Sequence, residues 1–135
     1  MNSYNLIPLV ARICLSAIFL RSAIISGILN FSSTQQMIAG QGLPVPALLL
    51  AGNIVLQIIG GISLVLGYKA RWGAIILILF LIPTTLVFHP FWSNPAETIA
   101  FLKNLGLIGG LLLVTYVGAG AISVDGATTS SSKSP

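Results

Sequence analysis

"VPALLLAGNIVLQIIGGISLVLGYKARWGAIILILFLIPTTLVF", residues 45–88, decides the fold. It is two long apolar runs parted only by the connector "GYKAR". Each run approaches the roughly 17–25 residues that cross a bilayer core as a helix. A core helix of a soluble protein keeps a polar face, and these runs mostly lack one. The short connector makes the pair an antiparallel hairpin. Working outward, one further run lies on each side. The spacing predicts spans over 6–29, 45–67, 72–88 and 98–117. The expected fold is all-α: a polytopic membrane protein with a four-helix transmembrane bundle over residues 1–120.

Composition agrees. The chain has 135 residues, 56% hydrophobic and 6% charged, whereas soluble domains carry about 25% charged residues. Its surroundings are therefore the lipid bilayer. The net charge of +4 comes from scattered basic residues, with neither the cluster nor the interleaved aromatics of a nucleic-acid surface. Cys14 is the only cysteine, which excludes a CxxC pair and an internal disulfide. It reads as a small apolar filler. The first apolar run lacks a basic leader and is interrupted by arginines, so it reads as a retained helix and not a cleaved signal.

The connections carry their own signals. "NFSSTQQMIAGQGLPVP" is polar, with Ser32, Ser33 and Thr34 as candidate helix caps and room for a short interfacial helix over 34–39. Pro46 suits the first turn of the second span. Pro83 lies inside the third span, where Thr84 and Thr85 are placed to bond carbonyls that the proline frees. Residues 121–135 end in the low-complexity run "ATTSSSKSP", expected as a disordered tail. Lys69 and Arg71 occupy one loop, Lys133 the tail, and the other two loops hold no lysine or arginine. The positive-inside rule then places both termini in the cytoplasm of a plasma (inner) membrane protein.

Polar residues inside spans are expensive and usually face the bundle interior. Asn53, Gln57 and Gly60 recur at i, i+4, i+7 on the second span, and Lys103, Gly106 and Gly110 at i, i+3, i+7 on the fourth. The glycine pair permits close helix approach, which points Lys103 inward. Arg12 shares a face with Ser16, Ala23, Ser26 and Asn30, while Arg21 lies about half a turn away among Cys14, Ala17, Ile24 and Ile28. With this orientation His89, Lys103, Asn104, Asn53 and Gln57 gather in the outer half of the membrane. They, with Arg12, are the candidate ligand-binding residues. Each also has a plainer reading. Lys103 and Arg12 can snorkel to headgroups, Arg21 can face lipid, Asn53 and Gln57 can glue helices, His89 can end a helix, and Phe91 and Trp92 can form an aromatic belt. One histidine and two distant acids supply no metal ligand set. No catalytic triad, phosphate loop or dinucleotide fingerprint is present, and catalytic residues stay unassigned.

"ARICLSAIFLRSAIISGILNF", "GQGLPVPALLLAGNIVLQIIGGISLVLGYKARWGA", "FHPFW" and "FLKNLGLIGGLLLV" with "ISVD", in that order and spacing, resemble the DoxX family over residues 8–125. The resemblance implies a small four-helix membrane protein. It also implies an association with membrane redox complexes, since the family's named member accompanies a thiosulfate:quinone oxidoreductase. His89, Trp92, Lys103 and Asn104 fit the family pattern. Gln57 stands where the family often has a glutamate, and a glutamine carries no exchangeable carboxyl proton. Ala23 and Ser26–Gly27 occupy the region where the family often has a basic residue after a glycine.

Three functions of different classes stay open. The first is a redox-associated, quinone-proximal subunit without a cofactor of its own, working with an oxidoreductase partner. The second is a structural or assembly subunit of a membrane complex. The third is a small permease, which four helices without an inverted repeat would support only as a homo-oligomer.

Overall fold

The computed structural model describes residues 3–133. All regular structure among them is helical. We label the helices α1 (Leu6–Leu29), α2 (Phe31–Gly40), α3 (Pro46–Leu66), α4 (Ala70–Phe88), α5 (Thr98–Val117) and α6 (Val124–Lys133). Four segments are long and apolar enough to cross a membrane: Leu6–Leu29, Pro46–Leu66, Ala70–Phe88 and Pro95–Val117. The protein is thus a multi-pass membrane protein with a four-helix bundle. Pro46 stands in the first turn of α3, where its missing N–H costs nothing.

The bundle runs in the order α1, α3, α4, α5. Neighbours along that order pack extensively, whereas α1 and α5 touch only lightly. Small residues set the close contacts. A Cβ at Gly60 would sit 2.5 Å from Leu77 Cγ, and one at Gly61 2.6 Å from Leu20 Cδ2. Around them Phe19, Leu64, Ala74, Leu77, Leu81 and Leu111 form the buried core.

Three local expectations change. The interfacial helix is longer than expected, Phe31–Gly40, and none of Ser32, Ser33 and Thr34 caps it. Thr34 instead donates its hydroxyl to the Ser26 carbonyl, tying α2 back to α1. Thr84 and Thr85 donate to Phe80 O (2.9 Å) and Leu81 O (2.7 Å). These are the carbonyls four residues upstream of each threonine. The carbonyl that Pro83 leaves without its α-helical donor is that of Leu79.

The third correction concerns the tail. Residues 124–133 form α6, and its start is fastened to the bundle. The Asp125 carboxylate accepts from Lys69 N (2.7 Å) and Ala70 N (2.9 Å), and Asp125 N donates to Gly67 O (2.9 Å). The acid therefore caps α4 from across the chain. Gly67 has φ 68°, and a Cβ there would collide with Ser123 and with the Arg12 guanidinium, so glycine alone suits the position. Low complexity read as disorder because the partners of Asp125 lie far away in sequence. Ser134 and Pro135 fall outside the described residues.

Candidate functional site

The light contact between α1 and α5 leaves a seam. At one level it is closed: a Cβ on Gly110 would lie 2.9 Å from Leu15 Cδ2. Toward the His89 end it opens into a cavity of about 260 Å³. Arg21, Ser22 and Ser26 of α1 line it with Gln57 of α3, Thr84 of α4, His89 just past α4, and Lys103 and Asn104 of α5. Apolar walls come from Ile18, Phe19, Leu81 and Leu107. On α1 this is where α-helical geometry gives way to a π-helix, Ser22–Leu29. Such widened turns occur often at functional sites.

The two amides and the histidine are held in place. Asn104 is buried and donates to Thr85 Oγ1 (3.0 Å), which joins α5 to α4. Gln57 is buried and donates to Asn53 Oδ1 (2.8 Å). That bond fixes the glutamine amide and leaves its oxygen outside the pairing. His89 Nδ1 lies 2.6 Å from Glu97 Oε2. A carboxylate on Nδ1 favours the tautomer with the proton there. Nε2 then accepts a hydrogen bond from a neutral ring and donates one from a protonated ring.

The cations differ. Among the described residues neither Arg21 nor Lys103 makes a side-chain hydrogen bond or an ion pair. A lone lysine or arginine deep in a span costs about 2.5–3.5 kcal/mol on insertion scales. Two of them border one cavity, and its nearest acid, Glu97, is engaged by His89. The arrangement can donate hydrogen bonds to acceptor oxygens and can exchange a proton at His89. Among the described residues no three of His, Cys, Asp and Glu gather as metal ligands.

Four of the six candidate residues come together here: His89, Lys103, Asn104 and Gln57. Asn53 lines a separate cavity of about 440 Å³ with Ile38, Leu43 and Pro83, and reaches the seam only through Gln57. Arg12 is at the opposite end. It is 1% exposed and donates to the carbonyls of Leu64 (2.8 Å), Val65 (3.3 Å) and Ile122. It does not snorkel, because the end of α3 and the tail supply carbonyls that lack their α-helical donors. Lys103 is exposed at the seam and does not enter a glycine-packed interior, and a Cβ at Gly106 would meet nothing within 4 Å. Arg21 leaves α1 on its exposed side, yet its side chain reaches the cavity. Glu97 was the residue that spacing missed as a partner for His89. The turn between α4 and α5 brings the two together, and helical periodicity does not extend through a turn.

Comparison with known proteins places this architecture. The DoxX family pattern matches residues 7–90. The chain belongs to the DoxX family. Its DoxX relatives in Escherichia coli include the inner membrane protein YqjF, 33% identical over 87% of this chain and 88% of that protein. Inner membrane protein YphA is 32% identical over 87% of this chain and 86% of that protein. The chain is also similar, at 43% identity over 54% of its length and 25% of the other, to the ER-derived vesicles protein ERV29 of Saccharomyces cerevisiae. No solved structure matches. The DoxX match runs from α1 to just past α4, so it includes Arg21, Gln57 and His89 and ends before Lys103.

Proposed function

We infer that this DoxX-family protein holds a small lipophilic carrier by its acceptor oxygens in the α1–α5 seam and serves as a redox-associated subunit. Quinones are the class that the family resemblance implies. Electron transfer then belongs to a partner oxidoreductase, because this chain contributes donors and a proton site at His89 and no redox centre of its own. One observation carries the reading: Arg21 and Lys103, both unpartnered among the described residues, border one cavity whose amides Gln57 and Asn104 are pinned in place. The membrane is the plasma (inner) membrane, in keeping with the names of YqjF and YphA. Lys69 and Arg71 support a cytoplasmic Arg12 end.

The test is purification in dodecyl maltoside, followed by mass spectrometry of co-purifying lipophilic molecules and proteins. The wild type should retain a carrier that Lys103→Met loses at equal yield, together with an oxidoreductase partner. Identical retained molecules in wild type and Lys103→Met would sink the reading and leave an assembly subunit.

A further inference from the structure

Resting on the ligand-holding part of the reading above, and departing from its quinone, we propose that the occupant of the seam carries an oxyanion head, bound between Arg21 and Lys103, on one apolar tail lying along the Gly106 face of α5.

The head follows from charge. Of the groups bordering the cavity, Arg21 and Lys103 are cations without partners among the described residues, while Gln57 and Asn104 are neutral amides. The carboxylate of Glu97 is 2.6 Å from His89 and is committed to it. Nothing in the seam therefore balances the two positive charges. A neutral carbonyl accepts hydrogen bonds and leaves both charges standing. A phosphate or carboxylate meets the fork of the arginine and the point charge of the lysine together, by charge-assisted bonds about twice as strong as neutral ones.

The tail follows from shape. Lys103, Gly106 and Gly110 share one face of α5, and Gly110 is where that face meets Leu15 of α1. Between the lysine and this closing contact, a Cβ at Gly106 would find nothing within 4 Å. Gly106 is exposed and stands outside the cavity lining, so the open space over it is a strip of the lipid-facing surface of α5, one turn from the apolar cavity walls Ile18 and Leu107. The strip leads away from the polar groups into the span, where an alkyl or isoprenoid chain fits and a second head does not. A lipid-borne acid and a free oxyanion share the head chemistry, and only the first uses the strip.

Binding to protein in dodecyl maltoside, followed by tryptophan fluorescence, tests both parts with four probes: dodecyl phosphate, inorganic phosphate, dodecanol and decylubiquinone. Dodecyl phosphate should bind at least about tenfold more tightly than the other three, and Arg21→Gln or Lys103→Gln should each weaken it by about tenfold or more. Lys103→Arg, which keeps the charge, should restore most of the affinity. Circular dichroism and elution volume check that these exposed substitutions leave the fold intact. Equal binding of inorganic phosphate would overturn the tail. Binding of decylubiquinone or dodecanol as tight as dodecyl phosphate, and indifferent to the Gln variants, would overturn the anionic head while the ligand-holding reading stood. Failure of all four probes would overturn both.

Discussion

His89 Nδ1 and Glu97 Oε2 lie 2.6 Å apart across the turn that joins α4 to α5. The pair does two things at once. It fixes the turn, and it commits the acid nearest the seam to the imidazole. Both side chains are about a third exposed, so solvent screens the interaction and its worth to folding is under about 1 kcal/mol. Its worth to the cavity is greater, because Glu97 orients the ring that lines it. Glu97→Ala should leave the melting temperature in detergent within a few degrees of wild type while lowering the amount of carrier retained. Unchanged retention would mean that the ring orientation does not matter.

Arg12 anchors the opposite end. Its guanidinium reaches three carbonyls from two segments, at Leu64, Val65 and Ile122, and hydrogen bonds to a charged donor are worth about 1.5–3 kcal/mol each. Arg12→Met takes this donor from all three carbonyls, of which Leu64 O keeps its bond from Gly67 N (3.2 Å), and should cost about 1–3 kcal/mol, as leaving a neutral acceptor unsatisfied does. Arg12→Lys should rescue little, since an ammonium lacks the planar fork. Thermal unfolding in dodecyl maltoside reads both variants. A shift of less than a degree for Arg12→Met would remove it from the architecture.

Asp125 caps α4 from the far end of the chain. Its carboxylate takes the N–H groups of Lys69 and Ala70, and Lys69 is held at a left-handed φ of 48°. Asp125→Ala should cost about 0.5–2 kcal/mol, the usual range for a lost helix cap. The same change should expose the segment after Gly118 to proteolysis. An unaltered cleavage pattern would show that the tail is held by Arg12 alone.

What the sequence made legible follows from what is local. The four spans were readable because length and hydropathy act residue by residue, and Pro46 because its effect is confined to one turn. The gathering of Gln57, His89, Lys103 and Asn104 was readable from depth alone. Facing was harder. Helical spacing placed Lys103 with Gly106 and Gly110 correctly on one face, and the inference that this face is buried assumed a closed bundle. In the structure α1 and α5 part above Gly110, so the same face is buried at one end and open at the other. Asp125 and Arg12 went unread because their partners are distant in sequence and are backbone groups that any residue carries.

The cytoplasmic placing proposed for the Arg12 end rests on Lys69 and Arg71 at the start of α4, while the stretches around Ser33 and Asn94 lack lysine and arginine. Reporter fusions after Ser33 and after Asn94 should score as external, and a fusion after Pro135 as internal. An external score after Pro135 would invert the bundle and put the cavity in the cytoplasmic half.

Gly106 and Gly110 separate packing from binding. They are one turn apart on the same face, yet a Cβ on Gly110 would press on Leu15 while one on Gly106 would meet nothing within 4 Å. Gly110→Leu should therefore overpack the closing contact and cost about 1–3 kcal/mol. Gly106→Leu forces nothing apart, and an alkyl side chain at that position sits comfortably in lipid. Its melting temperature should match or exceed that of wild type. The same leucine would fill the space beneath Lys103 and displace the tail of whatever the seam holds. Retention of carrier should then fall in Gly106→Leu without any loss of stability, the reverse of what a generally damaged bundle would show. If Gly106→Leu retained its carrier in full, the space along α5 would be ordinary lipid-facing surface, and the seam would end at Lys103.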